Sequence, residues 1–178
     1  MAATKHAQNI KKDTKDFITT ATLQMLTREK LSMLTVSKVC ERAGVSRMAF
    51  YRNFDGLDQI LYEYYQPKIA AVFDVISQNT HETDKYNCQF NFFNAFGDTF
   101  LSSIERGFEP IIQRIFIEEV KRFYAADNDG YRTTFMSAGV YAIWRKWLIE
   151  GRKKPLSEIM DFLKQFDTMD GTAESAAH

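Results

Sequence analysis

Apolar residues recur through this chain at three- and four-residue intervals, the spacing that gathers side chains on one face of an α-helix. The pattern is sharpest at 36–43, where Val36, Val39, Cys40 and Ala43 fall at i, i+3, i+4 and i+7. Thr35 stands ahead of them as an N-cap whose hydroxyl can accept an orphan backbone N–H, and Gly44 follows as a C-terminal stop. Val45 fills a short turn and Ser46 caps a second helix, RMAFYRNF. In that helix Phe50 and Phe54 share one face, while Arg47, Met48, Tyr51 and Arg52 look elsewhere. The spacing predicts a helix-turn-helix, whose second helix is shaped to enter the major groove of DNA.

The rest of the chain also reads as helix. Residues 1–12 are polar and lysine-bearing and are expected to form a flexible arm, either a loose end or one that follows a DNA backbone. Phe17, Ile18, Ala21 and Met25 predict a first helix over 13–29 with an inward face. A helix over 57–78 carries Leu57, Ile60, Leu61, Tyr64, Tyr65, Ile69, Val72 and Phe73. Pro67 inside it predicts a kink or break, read equally as a hinge or as a bend around the core. Residues 78–87 read as a loop or a frayed helix end. Further helices are expected over 88–105, 110–123, 131–150 and 155–167, then a loose tail over 168–178. No segment alternates as a strand does, so the fold class is all-α. The expected organisation is an arm (1–12), a three-helix DNA-binding head (13–56) and a helical ligand-binding and dimerisation domain (57–167).

Composition narrows the function. The chain has 178 residues, 45% of them hydrophobic, enough for a full core. No apolar run approaches the length of about 20 residues needed to span a membrane, and the first residues lack the apolar centre of a signal peptide. Cys40 and Cys88 are far apart and show no metal-ligand spacing, which suits a reduced, cytoplasmic protein. Net charge is zero, yet residues 1–60 hold ten Lys and Arg against six Asp and Glu, and the remainder thirteen against seventeen. A basic head on an acidic body suits a DNA-binding protein.

On these residues the chain resembles the TetR/AcrR family of transcriptional regulators. The likeness is carried by the long first helix, TVSKVCERAGVS, the FYRNF end of the second helix of the pair, and a helix opening near Asp58; it spans 13–61. Met48 stands where that family commonly has glycine and Leu57 where it commonly has lysine. The resemblance implies a homodimer that binds a palindromic operator in double-stranded DNA. It also implies a repressor released by a small apolar or aromatic effector. An activator or coregulator of the same fold is the alternative.

Candidate residues follow. Arg47, first after the cap, is the expected reader of guanine O6 and N7. Ser46, Met48 and Ala49 offer small or apolar contact to base edges. By resemblance Tyr51 meets a phosphate, and Arg52 and Asn53 approach the backbone or a base. Thr35 and Ser37, at a helix N-terminus, can meet a phosphate; the plainer reading makes Thr35 and Ser46 caps and the two arginines solvated. Fifteen phenylalanines suggest an effector pocket, with Phe73, Phe93, Phe96, Phe100, Phe116, Phe123 and Phe135 as lining, although aromatic stripes also make ordinary cores. The expected dimer surface uses Met136, Val140, Trp144 and Trp147 with Leu156, Ile159, Met160 and Leu163, unless these are core within one chain. No Gly-rich phosphate loop, HExxH or paired cysteines point to an enzyme, and no cofactor or metal is implied.

Overall fold

The helical periodicity carries through the structure. The computed structural model describes residues 5–78, 82–123 and 130–167. Among them the elements are α1 (Lys5–Leu26), a 3-10 turn (Leu31–Met33), α2 (Val36–Ala43), α3 (Arg47–Tyr51), α4 (Leu57–Gln78), α5 (Glu82–Arg106), α6 (Glu109–Phe123), α7 (Tyr131–Ile149) and α8 (Leu156–Asp167). No strand occurs among the described residues, and none of their helices is long and apolar enough to cross a membrane. The expected tail, 168–178, lies outside the described residues.

Parts of the expected arm and of the expected loop are helix instead, while residues 1–4 and 79–81 lie outside the described residues. α1 starts at Lys5, inside the stretch read as an arm, and α5 starts at Glu82, inside the stretch read as a loop. Both stretches are polar, but neither contains Gly or Pro. Polarity alone does not stop a helix, and Lys, Gln and Glu favour one. α1 ends at Leu26, three residues short of expectation. α4 runs without a break through Pro67.

The chain divides into two compact units, one of Met1–Ala70 with Ser102–Ile115, the other of Ala71–Leu101 with Phe116–His178. In the first unit α1 packs on both α2 and α3. Its inward face is Ile18, Ala21, Thr22 and Leu26, with Phe17 60% exposed against expectation. Its neighbour Ile18, about 100° further round the helix, turns inward in its place. The buried hydroxyl of Thr22 donates to the Ile18 carbonyl at 2.9 Å, so its burial leaves no donor unmet. A three-helix head alone holds little core. This unit adds buried Ile60, Leu61, Tyr65 and Ile69 from α4 and Phe108, Ile111, Ile112 and Ile115 from the α5–α6 turn and α6. The Tyr65 ring stacks on Phe108 at 5.8 Å. Arg106 donates to the Arg28 carbonyl at 3.3 Å, tying that turn to the end of α1.

In the second unit Phe93 stacks on Trp144 at 3.6 Å with the ring planes 13° apart. Trp144 meets Trp147 edge-on at 5.7 Å, and the Trp147 indole N–H donates to the Lys154 carbonyl at 2.8 Å, fixing the turn between α7 and α8. Arg122 bridges Asp74 at 2.8 Å and the buried carboxylate of Glu119 at 2.7 Å. A paired, hydrogen-bonded carboxylate tolerates burial where a lone one does not.

Burial, reinforced by neighbouring Tyr64, pushes the Tyr65 phenol from 10.0 up to about 12. The folded chain then keeps a proton that the unfolded chain loses. Stability from this group is full below pH 10.0 and falls as pH climbs to about 12, by roughly 2–3 kcal/mol in all. Urea unfolding across that range should therefore show a shallower loss of stability for Tyr65→Phe than for wild type. Equal slopes would contradict the burial of this hydroxyl as the cause.

Candidate nucleic-acid interface

The α2–α3 pair is held by local signals at each of its joints. The Thr35 hydroxyl accepts the Lys38 N–H at 3.3 Å, capping α2. At the other end Gly44 adopts φ 68° and ψ 30°, a left-handed conformation that a Cβ would strain. Val45 N–H then bonds the Cys40 carbonyl at 3.0 Å and Gly44 N–H the Glu41 carbonyl at 3.3 Å, the paired closure of a Schellman turn. The Ser46 hydroxyl accepts the Ala49 N–H at 3.1 Å and starts α3. Three residues thus reverse the chain between two capped helices.

The inner side of the pair is apolar. Val39 and Phe50 are fully buried, with Cys40 and Phe54 nearly so. The Phe50 and Phe54 rings meet at 6.0 Å. Burial pushes the Cys40 thiol up despite an opposing pull from Arg47, which keeps it a neutral core residue. The outer side presents the expected set. Thr35, Ser37, Ser46, Arg47, Met48, Tyr51 and Arg52 are exposed, and Ala49 is half-buried. Met48 is 66% and Tyr51 52% exposed, high for side chains of their size and apolarity.

Asn53 lies just past the end of α3. It is half-buried, and its amide donates to the Ala49 carbonyl of α3 at 2.7 Å. Other cations nearby are also engaged: Lys38 with the Met33 carbonyl at 3.0 Å and Glu29 at 3.5 Å, Arg42 with Gln24 at 2.9 Å, Lys15 with Glu63 at 2.7 Å. Among the described residues Arg47 and Arg52 have no carboxylate at ion-pair distance. One contact escaped the sequence reading: the Arg52 Nη2 donates to the Met48 Sδ at 3.3 Å. Their i, i+4 spacing is the signal that could have found it.

The expected effector residues are mostly packed on one another. Phe116 meets Phe73 at 5.6 Å, Phe93 at 6.0 Å and Tyr141 at 5.7 Å, and Phe100 meets Tyr141 at 5.6 Å. Half-buried Phe96 stacks on Phe92 at 5.1 Å. Phe135 is 61% exposed, because it lies on the side of α7 opposite Met136, Trp144 and Trp147. The side chain of Phe123 lies outside the described residues.

The expected dimer surface is largely core of one chain. Met136, Trp144, Trp147, Leu156 and Met160 are buried, and Val140, Ile159 and Leu163 half-buried. Apolar character alone does not separate the two faces of α7, because both carry it. The outer face instead shows Tyr131, Phe135, Ala138, Ala142 and Ile149, spaced to align along one side, with Phe162 exposed on α8. Among the described residues, and apart from its own helical turn, nothing lies within 4 Å of the position a Cβ would take at Gly139.

No protein-family model matches the chain, and no curated protein sequence matches it.

Replacing outward side chains should leave folding intact while inward ones should not. Arg47→Ala and Arg52→Ala are expected to change unfolding free energy by less than about 0.5 kcal/mol, against a loss of about 3–5 kcal/mol for Phe50→Ala. Denaturant titration of purified variants checks both. A large loss on replacing either arginine would show it to be structural.

Proposed function

We propose that this chain is a sequence-specific, double-stranded-DNA-binding transcriptional regulator of TetR/AcrR type. The observation that carries the reading is the α2–α3 pair: two capped helices reversed by a left-handed glycine, with Phe50 and Phe54 anchored inside and Arg47, Met48, Tyr51 and Arg52 outside. That division suits a helix laid into a major groove. Arg47 acts as base reader, since its guanidinium fork matches guanine O6 and N7. Tyr51 and the α2 N-terminus with Thr35 and Ser37 hold phosphates and set the register.

Reading a palindrome requires two copies related by a two-fold axis. The outward stripe of α7, Tyr131, Phe135, Ala138 and Ala142, supplies an apolar surface for that pairing, and its small residues let two helices approach closely. The regulator acts as a repressor released by a small apolar or aromatic effector. Release requires the effector to bind the DNA-competent and incompetent forms with different affinity.

Selection of the purified chain on random duplex DNA, with sequencing of the bound pool, tests the reading. A palindromic motif is expected. No enrichment by folded, dimeric protein would replace it with the coregulator reading. On the enriched duplex, Arg47→Ala should lose about 1–3 kcal/mol and relax preference at one base position. Tyr51→Phe should weaken all duplexes alike; a change confined to one base pair would contradict the phosphate role.

Phe135→Glu should yield a folded monomer by light scattering, whereas Trp147→Glu should unfold the chain. A Phe135→Glu dimer would take the α7 stripe out of the interface.

A further inference from the structure

The outward face of α3 holds an unusual pair. Met48 is 66% exposed, and its sulfur accepts a hydrogen bond from the guanidinium of Arg52, one turn on. A sulfur is a weak acceptor, so the bond does little for stability. Its consequence is positional. It lays the Arg52 guanidinium beside the Met48 side chain, one turn apart on the exposed side of α3. No carboxylate among the described residues lies at ion-pair distance from Arg52. One edge of the guanidinium is occupied by sulfur, and Arg52 is exposed, so its remaining N–H groups are open to a ligand.

We propose that Met48 and Arg52 act together as one reader of a thymine followed by a guanine, the step 5′-TG-3′. The Met48 terminal methyl packs on the thymine 5-methyl, which projects into the major groove, and Arg52 bonds O6 and N7 of the guanine beside it. Two adjacent bases present a methyl group and a pair of acceptors next to each other. Met48 and Arg52 present an apolar methyl and a pair of donors in the same juxtaposition. The arrangement differs from a lone arginine contact, because the two side chains already lie side by side before DNA arrives and present methyl and donors together. A solvated methionine would gain nothing from a thymine methyl, which makes the two situations separable.

This inference rests on the DNA-binding reading, and the test separates the two. The duplex enriched from the random pool is remade with each thymine in turn as deoxyuridine, which removes only the 5-methyl. Each guanine is likewise replaced by 7-deazaguanine, which removes N7. Wild type, Met48→Ala, Met48→Leu and Arg52→Ala are titrated against the set. With wild type, one thymine per half-site should lose about fourfold in affinity as uracil, the effect of one methyl group removed from contact. The guanine on its 3′ side should bind about tenfold more weakly in its 7-deaza form, a loss separate from that at the guanine read by Arg47. The uracil effect should vanish in Met48→Ala and persist in Met48→Leu, which keeps an apolar contact without the sulfur. The 7-deaza effect should vanish in Arg52→Ala. Three results overturn the proposal while leaving DNA binding upheld: uracil tolerated at every thymine, a uracil effect unchanged in Met48→Ala, or an enriched motif with no TG step. No motif at all from folded protein removes both readings.

Discussion

The burial of Phe50 is the contact on which the rest of the α2–α3 surface depends. α3 is five residues long, Arg47–Tyr51, far below the length of about 12–15 residues at which a helix approaches stability by itself in water. Its outward residues have a defined direction only because Phe50 is fully buried, with Phe54 3% exposed beside it. The Ser46 cap and the Gly44 turn set where α3 starts, and the aromatic anchor sets which way it faces. Remove the anchor and Arg47, Met48, Tyr51 and Arg52 become four side chains on a loop. Rigid placement of a reading helix is what converts general attraction to phosphate into sequence preference.

The same unit shows how a small head acquires a core. α1 packs on α2 and α3, but the buried set continues through Ile60, Leu61 and Ile69 and on to Phe108, Ile112 and Ile115. The head is therefore not a self-contained stretch of sequence; it is completed by residues well downstream of it. In the second unit the stack of Phe93 on Trp144 has a comparable place. It commits one face of α7 to the interior, which leaves Tyr131, Phe135, Ala138 and Ala142 facing outward.

Much of this was legible from residue types because the signals were local. Thr35, Gly44 and Ser46 marked their caps and turn through side-chain and backbone chemistry that acts over three or four residues. The all-helical class followed from spacing alone. What stayed illegible was non-local. Spacing shows that Trp144 and Trp147 share a face, yet not whether that face meets its own chain or a second copy. It shows that phenylalanines are numerous, but not that Phe116 is surrounded by Phe73, Phe93 and Tyr141. The beginnings of α1 and α5 were hidden for a different reason. A polar run without Gly or Pro is compatible with both loop and helix, and periodicity cannot decide between them where few apolar residues exist. The turn of Asn53 onto the Ala49 carbonyl depends on a side-chain torsion that residue identity leaves open.

The central claim is that α3 lies in the major groove and that two copies do so on one duplex. Guanine N7 faces only that groove, so protection of N7 from methylation by dimethyl sulfate, mapped on a duplex bound by the full chain, tests it most directly. The account predicts two protected patches, centred about 10–10.5 base pairs or a multiple of that apart. In Arg47→Ala at saturating protein, the same one guanine should become reactive in each patch. Tight binding with every guanine N7 still reactive would contradict it, and would place the DNA contact somewhere other than the outward face of α3.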